Sequence, residues 1–205
     1  MKKFLTISLF LVFILVSLSL ARKSISEHKI LDRVPMVSQS TPYSCGAAAL
    51  QAVLGYYGHE YSESELIKEL GTEPASGTKH EKMVEFATKL GIKAVVKHDL
   101  NLDALAESIQ RDQLAIVEFQ AWADEPDHKP WSELWDDGHY AVVLGMDSEK
   151  IYFMDPSLLG SKGFIPIKEF LERWHDIVSS GEHKYHTAIL FDGIPKPPPA
   201  WTAIQ

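Results

Sequence analysis

The chain has 205 residues, with 20 Lys and Arg against 28 Asp and Glu and a formal net charge of −8. That balance speaks against nucleic acid as a partner and leaves no polybasic surface for lipid headgroups. One cysteine, Cys45, excludes an internal disulfide framework.

Met1-Lys2-Lys3 leads into an apolar run from Phe4 to Leu20, and Ser19-Leu20-Ala21 offers a small-x-small cleavage site. Arg22 and Lys23 follow directly, so the run suits both a cleaved signal peptide and an uncleaved anchor with membrane attachment through residues 4–20. Either form predicts that the chain from residue 24 onward is exported: periplasmic, secreted or anchored to the inner membrane outside the cytoplasm. The expected organisation is a signal or anchor over 1–21, a linker over 22–33, one domain over 34–192 and a Pro-rich tail over 193–205. In that tail, Pro195-Lys-Pro-Pro-Pro199 reads as stiff polyproline II.

The domain opens with helical patterns. Leu50, Val53, Leu54 and Tyr57 recur at three- and four-residue spacings over 46–57, closed by Gly58. The Ala47-Ala48-Ala49 run suits a central helix packed close to its neighbours. Ser62-Glu-Ser-Glu65 is a capping box before Leu66, Ile67 and Leu70, with Gly71 as the stop. Thr78-Lys-His-Glu81 repeats that signal before Met83, Phe86, Ala87 and Leu90. A strand is predicted over Ile92–Val96, then a helix capped by Asn101 and running to about Arg111, then an apolar strand over Leu114–Phe119.

Beyond a loop rich in Trp, Asp and Pro, the pattern becomes β. Tyr140–Met146 and Ile151–Met154 read as a hairpin turned at 147–150. Pro166 is expected at the first position of a helix bearing Phe170, Leu171 and Trp174, and Tyr185–Phe191 as the closing strand. Helices first and antiparallel strands later describe an α+β domain whose two parts meet at a cleft.

Cys45 stands at a predicted helix start, where the macrodipole favours a thiolate. A thiol nucleophile needs a base, and the base needs a group that fixes its tautomer. His139 lies at the edge of the apolar strand in Asp137-Gly-His-Tyr-Ala-Val-Val-Leu144, and Asp155 ends the partner strand of the same hairpin. Both fall at the open end of that hairpin, within side-chain reach. Gln39, six residues before Cys45, can donate an amide N–H to an oxyanion alongside the Cys45 backbone.

Trp122, Trp131 and Trp135 precede His139 and would either wall a substrate groove or pack. Asp136, Asp137 and His139, or His183-x-x-His186, lack cysteine–histidine ligand spacing, and a metal on His139 would compete with its use as a base. No metal or cofactor is expected. A GxxxxGK[ST] motif is missing, and Gly160-Ser-Lys-Gly163 reads as a turn, so ATP is not an expected partner.

Gln39-x5-Cys45-Gly-x-Ala-x-Leu50, Gly-His139-Tyr-x-Val-Val and Asp155-Pro156 resemble the bacteriocin-processing, double-glycine leader peptidases and their stand-alone relatives in the papain-like superfamily. The resemblance covers about residues 34–191. It implies a papain-like fold with Cys45 as nucleophile, His139 as general base, Asp155 as its orienter and Gln39 in the oxyanion hole. A peptide or protein is the implied substrate. Two departures stand out: Ser44 occupies a position that is typically acidic in transporter-linked members, and this domain is expected to be exported and to stand alone, whereas those members sit in the cytosol fused to membrane and ATPase domains. The function expected is therefore a cysteine peptidase. The alternatives are an acyl or peptidyl transferase using the same acyl-enzyme, and a peptide-binding module that has lost catalysis.

Overall fold

A computed structural model describes residues 29–122, 129–178 and 180–196. The segment expected to be a signal or anchor lies outside the described residues, as do residues 197–205 of the tail. Helix α1 (Cys45–Tyr56) runs through the core with Ala47, Ala48, Ala49, Leu50, Ala52, Val53 and Leu54 all fully buried. Its alanines let neighbours approach, while Leu50 and Leu54 each contribute about 1.5–3 kcal/mol by leaving water. Gly58, at φ +80°, carries the chain away after its end.

Helix α2 (Glu63–Leu70) carries the expected capping box, Ser62 accepting from the Glu65 amide while the Glu65 carboxylate accepts from the Ser62 amide, and Gly71 ends it in the left-handed region. Helix α3 (His80–Lys89) corrects the reading of its start. Lys79 is the N-cap and makes no side-chain cap. The Thr78 hydroxyl is instead buried and shares a 2.8 Å hydrogen bond with Thr72. His80 thus becomes the first residue of α3 and is buried. In α4 (Leu102–Gln110), Asn101 caps as expected, its Oδ1 accepting from the Ala104 amide at 2.8 Å.

The strands are β1 (Lys93–Lys97), β2 (Leu114–Gln120), β3 (Gly138–Met146), β4 (Lys150–Met154), β5 (Lys162–Pro166), β6 (His175–Ile177), β7 (His183–Tyr185) and β8 (Ala188–Asp192). Six form one antiparallel sheet in the order β1-β8-β2-β3-β4-β5, and β6 and β7 make a separate hairpin. The expected β3–β4 hairpin turns on Asp147, whose Oδ1 accepts from the amides of Glu149 and Lys150, each at 2.7 Å.

Three sequence expectations need correction. The segment after Gly160 does not remain a turn; it continues into β5, an edge strand with little apolar alternation. Pro166 ends β5 and caps α5 (Ile167–Arg173) from outside, and Trp174 lies just beyond that helix. The closing strand breaks at His186, whose φ of +49° splits it into β7 and β8.

Register fixes which side chains share a face. Glu118 pairs with Tyr140 and Phe119 with His139, so the two pairs point to opposite sides of the sheet. On the His139 side, α5 brings Phe170 to 6.2 Å from Phe119 and 5.7 Å from Phe153 between ring centroids. On the other side, α1 meets β3 where Gly46 lies against Tyr140. The start of α1 and the start of β3 are thereby brought together.

Candidate active site

Cys45 is the first residue of α1 and is buried to 8% exposure. The loop before it is cinched by Ser44: its hydroxyl donates to the Thr41 carbonyl at 3.1 Å and accepts from the Thr41 amide at 3.2 Å and the Thr41 hydroxyl at 2.7 Å. A second clamp comes from α2, where the Glu63 carboxylate accepts the Ser40 amide at 2.9 Å. These bonds spend Ser44 on the loop, and its side chain makes no cap on α1. The first amides of the helix therefore face the nucleophile's surroundings without a side-chain cap.

His139 is completely buried at the start of β3. Its Nε2 meets Asp155 Oδ1 at 2.8 Å. The same oxygen accepts from the Ser157 amide at 2.9 Å and its hydroxyl at 2.7 Å. Burial pushes the Asp155 carboxyl up, but the His139 and Ser157 bonds outweigh it and hold it below its usual range. The opposite nitrogen, Nδ1, is buried and has no hydrogen-bond partner among the described residues. With Nε2 taken by Asp155, Nδ1 is the free ring nitrogen, and Cys45 lies near enough to act on the charge of His139. Burial disfavours the imidazolium, yet Asp155 and Cys45 together raise the His139 pKa to about 9.

Gln39 is tied down more firmly than a solvated loop amide. Its backbone amide donates to the Pro156 carbonyl at 2.9 Å, which fastens the nucleophile's loop to the residue after Asp155. The side-chain Nε2 donates one hydrogen to the Thr41 carbonyl at 2.8 Å, and Oε1 is buried without a partner among the described residues. The amide nitrogen carries a second hydrogen, which that bond leaves over. All four residues singled out in the sequence thus converge on one end of the sheet.

The tryptophans separate. The Trp122 ring lies 4.7 Å from that of His139 and remains 51% exposed, so it stands between the imidazole and solvent. Trp122 holds this place at φ +52°, a conformation costly for a bulky residue. Trp131 lies under the Arg173 guanidinium at 4.1 Å. Trp135 packs against His175 and His183, tilted to both, with ring centroids 4.3 and 4.1 Å away. His186 does not join His183; it bonds the Leu100 carbonyl at 2.9 Å and stacks on Trp174.

Concavities open among the described residues, one of them along the nucleophile's loop. One, of about 490 Å³, lies between residues 38–42 and 156–159. Another, of about 330 Å³, is walled by Thr78, His80, Glu118 and Tyr140. Glu118 was overlooked in the sequence, although a lone carboxylate inside an otherwise apolar strand was the available signal.

The model of the Peptidase C39 family matches residues 33–183. Uncharacterized proteins of Methanothermobacter thermautotrophicus and Methanothermobacter marburgensis are each 32% identical to the chain over 124 residues, covering 60% of it and 72% of theirs. The fold is similar to that of a C39-like peptidase from Bacillus anthracis, at TM-score 0.63 and 21% identity over 83% of this chain and 100% of that one. A double glycine motif protease from an AMS/PCAT transporter, in complex with the leader peptide, gives TM-score 0.57 at 19% identity, covering 80% and 93%. The peptidase domain of Streptococcus ComA, a bifunctional ABC transporter, gives 0.55 at 21%, covering 80% and 98%. These likenesses establish the α+β, papain-like fold, and the family match extends over well more than half of the sequence. The chain belongs to the Peptidase C39 family.

Proposed function

We propose that the protein is a cysteine peptidase that hydrolyses peptide bonds through a thioester acyl-enzyme on Cys45. The observation that supports this reading is the one-sided engagement of His139: Nε2 is held by Asp155, the buried Nδ1 has no hydrogen-bond partner among the described residues, and Cys45 is near enough to act on its charge. That tautomeric arrangement is what a base serving a nucleophile requires. In the first step Cys45 Sγ bonds to the substrate carbonyl carbon, its proton having passed to His139 Nδ1. The C–N bond then breaks as His139 returns a proton to the leaving amine. Water next attacks the thioester, giving its proton to His139, and the C–S bond breaks to release the acid. The Cys45 amide and the second Nε2 hydrogen of Gln39 are the donors assigned to the oxyanion.

A peptide is the substrate to try first, since a structural relative is a protease bound to a leader peptide. We assign the domain to the outside of the cytoplasm on the strength of the Phe4–Leu20 run alone.

Mass spectrometry on the purified domain with mixed peptides tests the reaction. Cleavage is expected from the wild type and none from Cys45→Ala, with a hydroxylamine-sensitive acyl adduct on Cys45. Adducts that pass to an added amine in preference to water would make the enzyme a transferase. Peptide binding with neither turnover nor adduct would leave only a binding module.

A further inference from the structure

His139 is the second residue of β3, and chain segments at the ends of elements open more easily than those within them. A base that must stay within hydrogen-bond reach of its partners cannot share that mobility. The neighbouring strand shows how the end is held. In register, Phe119 lies opposite His139, and Gln120 lies opposite Gly138, the residue just before it. Side chains alternate across a strand, so Phe119 shares the face of His139, with its ring centroid 5.6 Å from the imidazole. Beyond Gln120, a regular strand would send Trp122 to the face away from His139. Its φ of +52° turns the chain there, and the indole closes on His139 at 4.7 Å. Gln120 therefore stands in the chain between the two rings that flank the base.

Gln120 is completely buried, and its side chain bonds in three directions. Nε2 donates to the His175 carbonyl and to Asp176 Oδ1, each at 3.1 Å. Oε1 accepts from the Asp137 amide at 3.1 Å. The first two bonds reach β6, which belongs to the separate hairpin, and the third reaches the residue before β3. The Gln120 carbonyl accepts from Arg173 Nε at 2.7 Å, and that guanidinium lies over the rings of Phe119 and Trp131 at 5.3 and 4.1 Å. Asp176, held by Gln120, fills the space that a Cβ on Gly138 would take. His175 Nε2 meets the Leu134 carbonyl at 2.8 Å, so the loop leading into β3 is tied to the same hairpin. Packing alone does not call for a buried amide here, since an apolar side chain of its size avoids the desolvation cost. What the amide adds is direction: it fixes three chain segments around the start of β3.

We infer that Gln120 is a positioning residue for His139, bracing β6 and the loop before β3 against the strand end that carries the base. It acts only through the placement of the imidazole relative to Asp155 and Cys45. Without the brace, β3 frays from Gly138, and the 2.8 Å bond between His139 and Asp155 loses its alignment. The role in turnover rests on the peptidase reading; the placement of His139 can be measured without turnover.

The test compares Gln120→Met, which keeps the length of the side chain and removes all three side-chain bonds, with Asp176→Ala, which removes one of them. Phe191→Ala, at the far end of β2 where Phe191 pairs with Leu114, serves as a control for a general loss of stability. With a peptide that the wild type cleaves, kcat is expected to fall about 10- to 100-fold in Gln120→Met and less in Asp176→Ala. KM should stay within about twofold, since a misplaced base costs the transition state and not binding. Alkylation of Cys45 by iodoacetamide near neutral pH should slow in the same order, because an imidazole out of place accepts the thiol proton less readily. Phe191→Ala should change neither readout per folded molecule. A wild type that cleaves no peptide, with alkylation slowed in both brace variants, would sink the peptidase and keep the brace. If kcat and alkylation in Gln120→Met matched wild type, or fell no further than in Phe191→Ala, Gln120 would be a structural residue only. Should Gln120→Met fail to fold, Asp176→Ala decides by the same comparison.

Discussion

Two buried histidine–carboxylate pairs stand near one end of the same sheet, and they differ in one geometric respect. His139 meets Asp155 in line, at 2.8 Å, and the carboxylate oxygen is further held by Ser157. His80 meets Glu118 at the same 2.8 Å, but outside hydrogen-bonding geometry. The first pair is locked on one side, which leaves the far ring nitrogen without a hydrogen-bond partner among the described residues. The second is a buried ion pair in which, against the effect of burial, Glu118 raises the His80 pKa above its usual value. Distance alone cannot tell a proton-relay pair from a counter-charge. Direction can.

His139→Ala should break the first pair completely and lower kcat/KM by at least about 10⁴-fold, with slower alkylation of Cys45 by iodoacetamide. Equal alkylation rates in the variant and wild type would remove His139 from the role of base. Asp155→Asn should cost less, about 10²–10³-fold, because the proton acceptor survives and only its orientation suffers. It should also move the alkaline limb of the pH–rate profile. In the wild type that limb is expected near pH 9, where His139 loses the proton it gives to the leaving amine. With the Asp155 charge gone, the limb should shift to lower pH; an unmoved limb would assign it to another group.

The same shift has a consequence for stability. The folded-state pKa of His139 lies above its ordinary 6.5, so the stabilisation is fully present below that value and is lost as pH rises through about 9. Urea unfolding of the wild type should show this decline, and Asp155→Asn should flatten it. Gln39→Ala should lower kcat by about 10²–10³-fold with little change in KM, since its spare N–H would meet charge only in the transition state. Normal turnover would show Gln39 to be a loop strut between Thr41 and Pro156.

The smallest effects on peptide cleavage, and the sharpest contrast, belong to the second pair. His80→Leu should destabilise the fold by about 3–5 kcal/mol by stranding Glu118, and adding Glu118→Leu should recover much of that loss. No such compensation is expected in the catalytic pair, where a double apolar replacement restores packing but not turnover. If the second change recovered nothing, the two side chains would not be coupled.

The legible parts of the sequence were those written in local chemistry. Ser62 with Glu65, Asn101 before α4 and Asp147 in the β3–β4 turn each act within a few residues of themselves, so spacing suffices. The pairing of His139 with Asp155 was legible because a histidine at a strand edge and a hairpin register limit the partners. What escaped was set by distant contacts. Thr78 has a capping spacing, yet the pressure of Gly46 and the Thr72 hydroxyl claim it. β5 is an edge strand and β6 and β7 have three residues each, too short for a period to show. Gly138 must lack a side chain because the Asp176 carboxylate occupies the space a Cβ would need. Nothing near Gly138 in the sequence announces that neighbour.

One feature of the fold also bears on how the molecule would stand on a surface. Ile30 bridges to β3 at Gly145, six residues along from His139 and therefore roughly 20 Å from it in an extended strand. At the other terminus, the Lys196 amide bonds the carbonyl of Tyr56, the last residue of the helix that Cys45 begins. The chain thus enters and leaves the domain at the pole opposite the nucleophile. A tether through residues 4–20 would hold that pole toward the bilayer and turn the cleft outward. Peptides approaching from the aqueous side would then reach Cys45 without passing between the domain and the lipid.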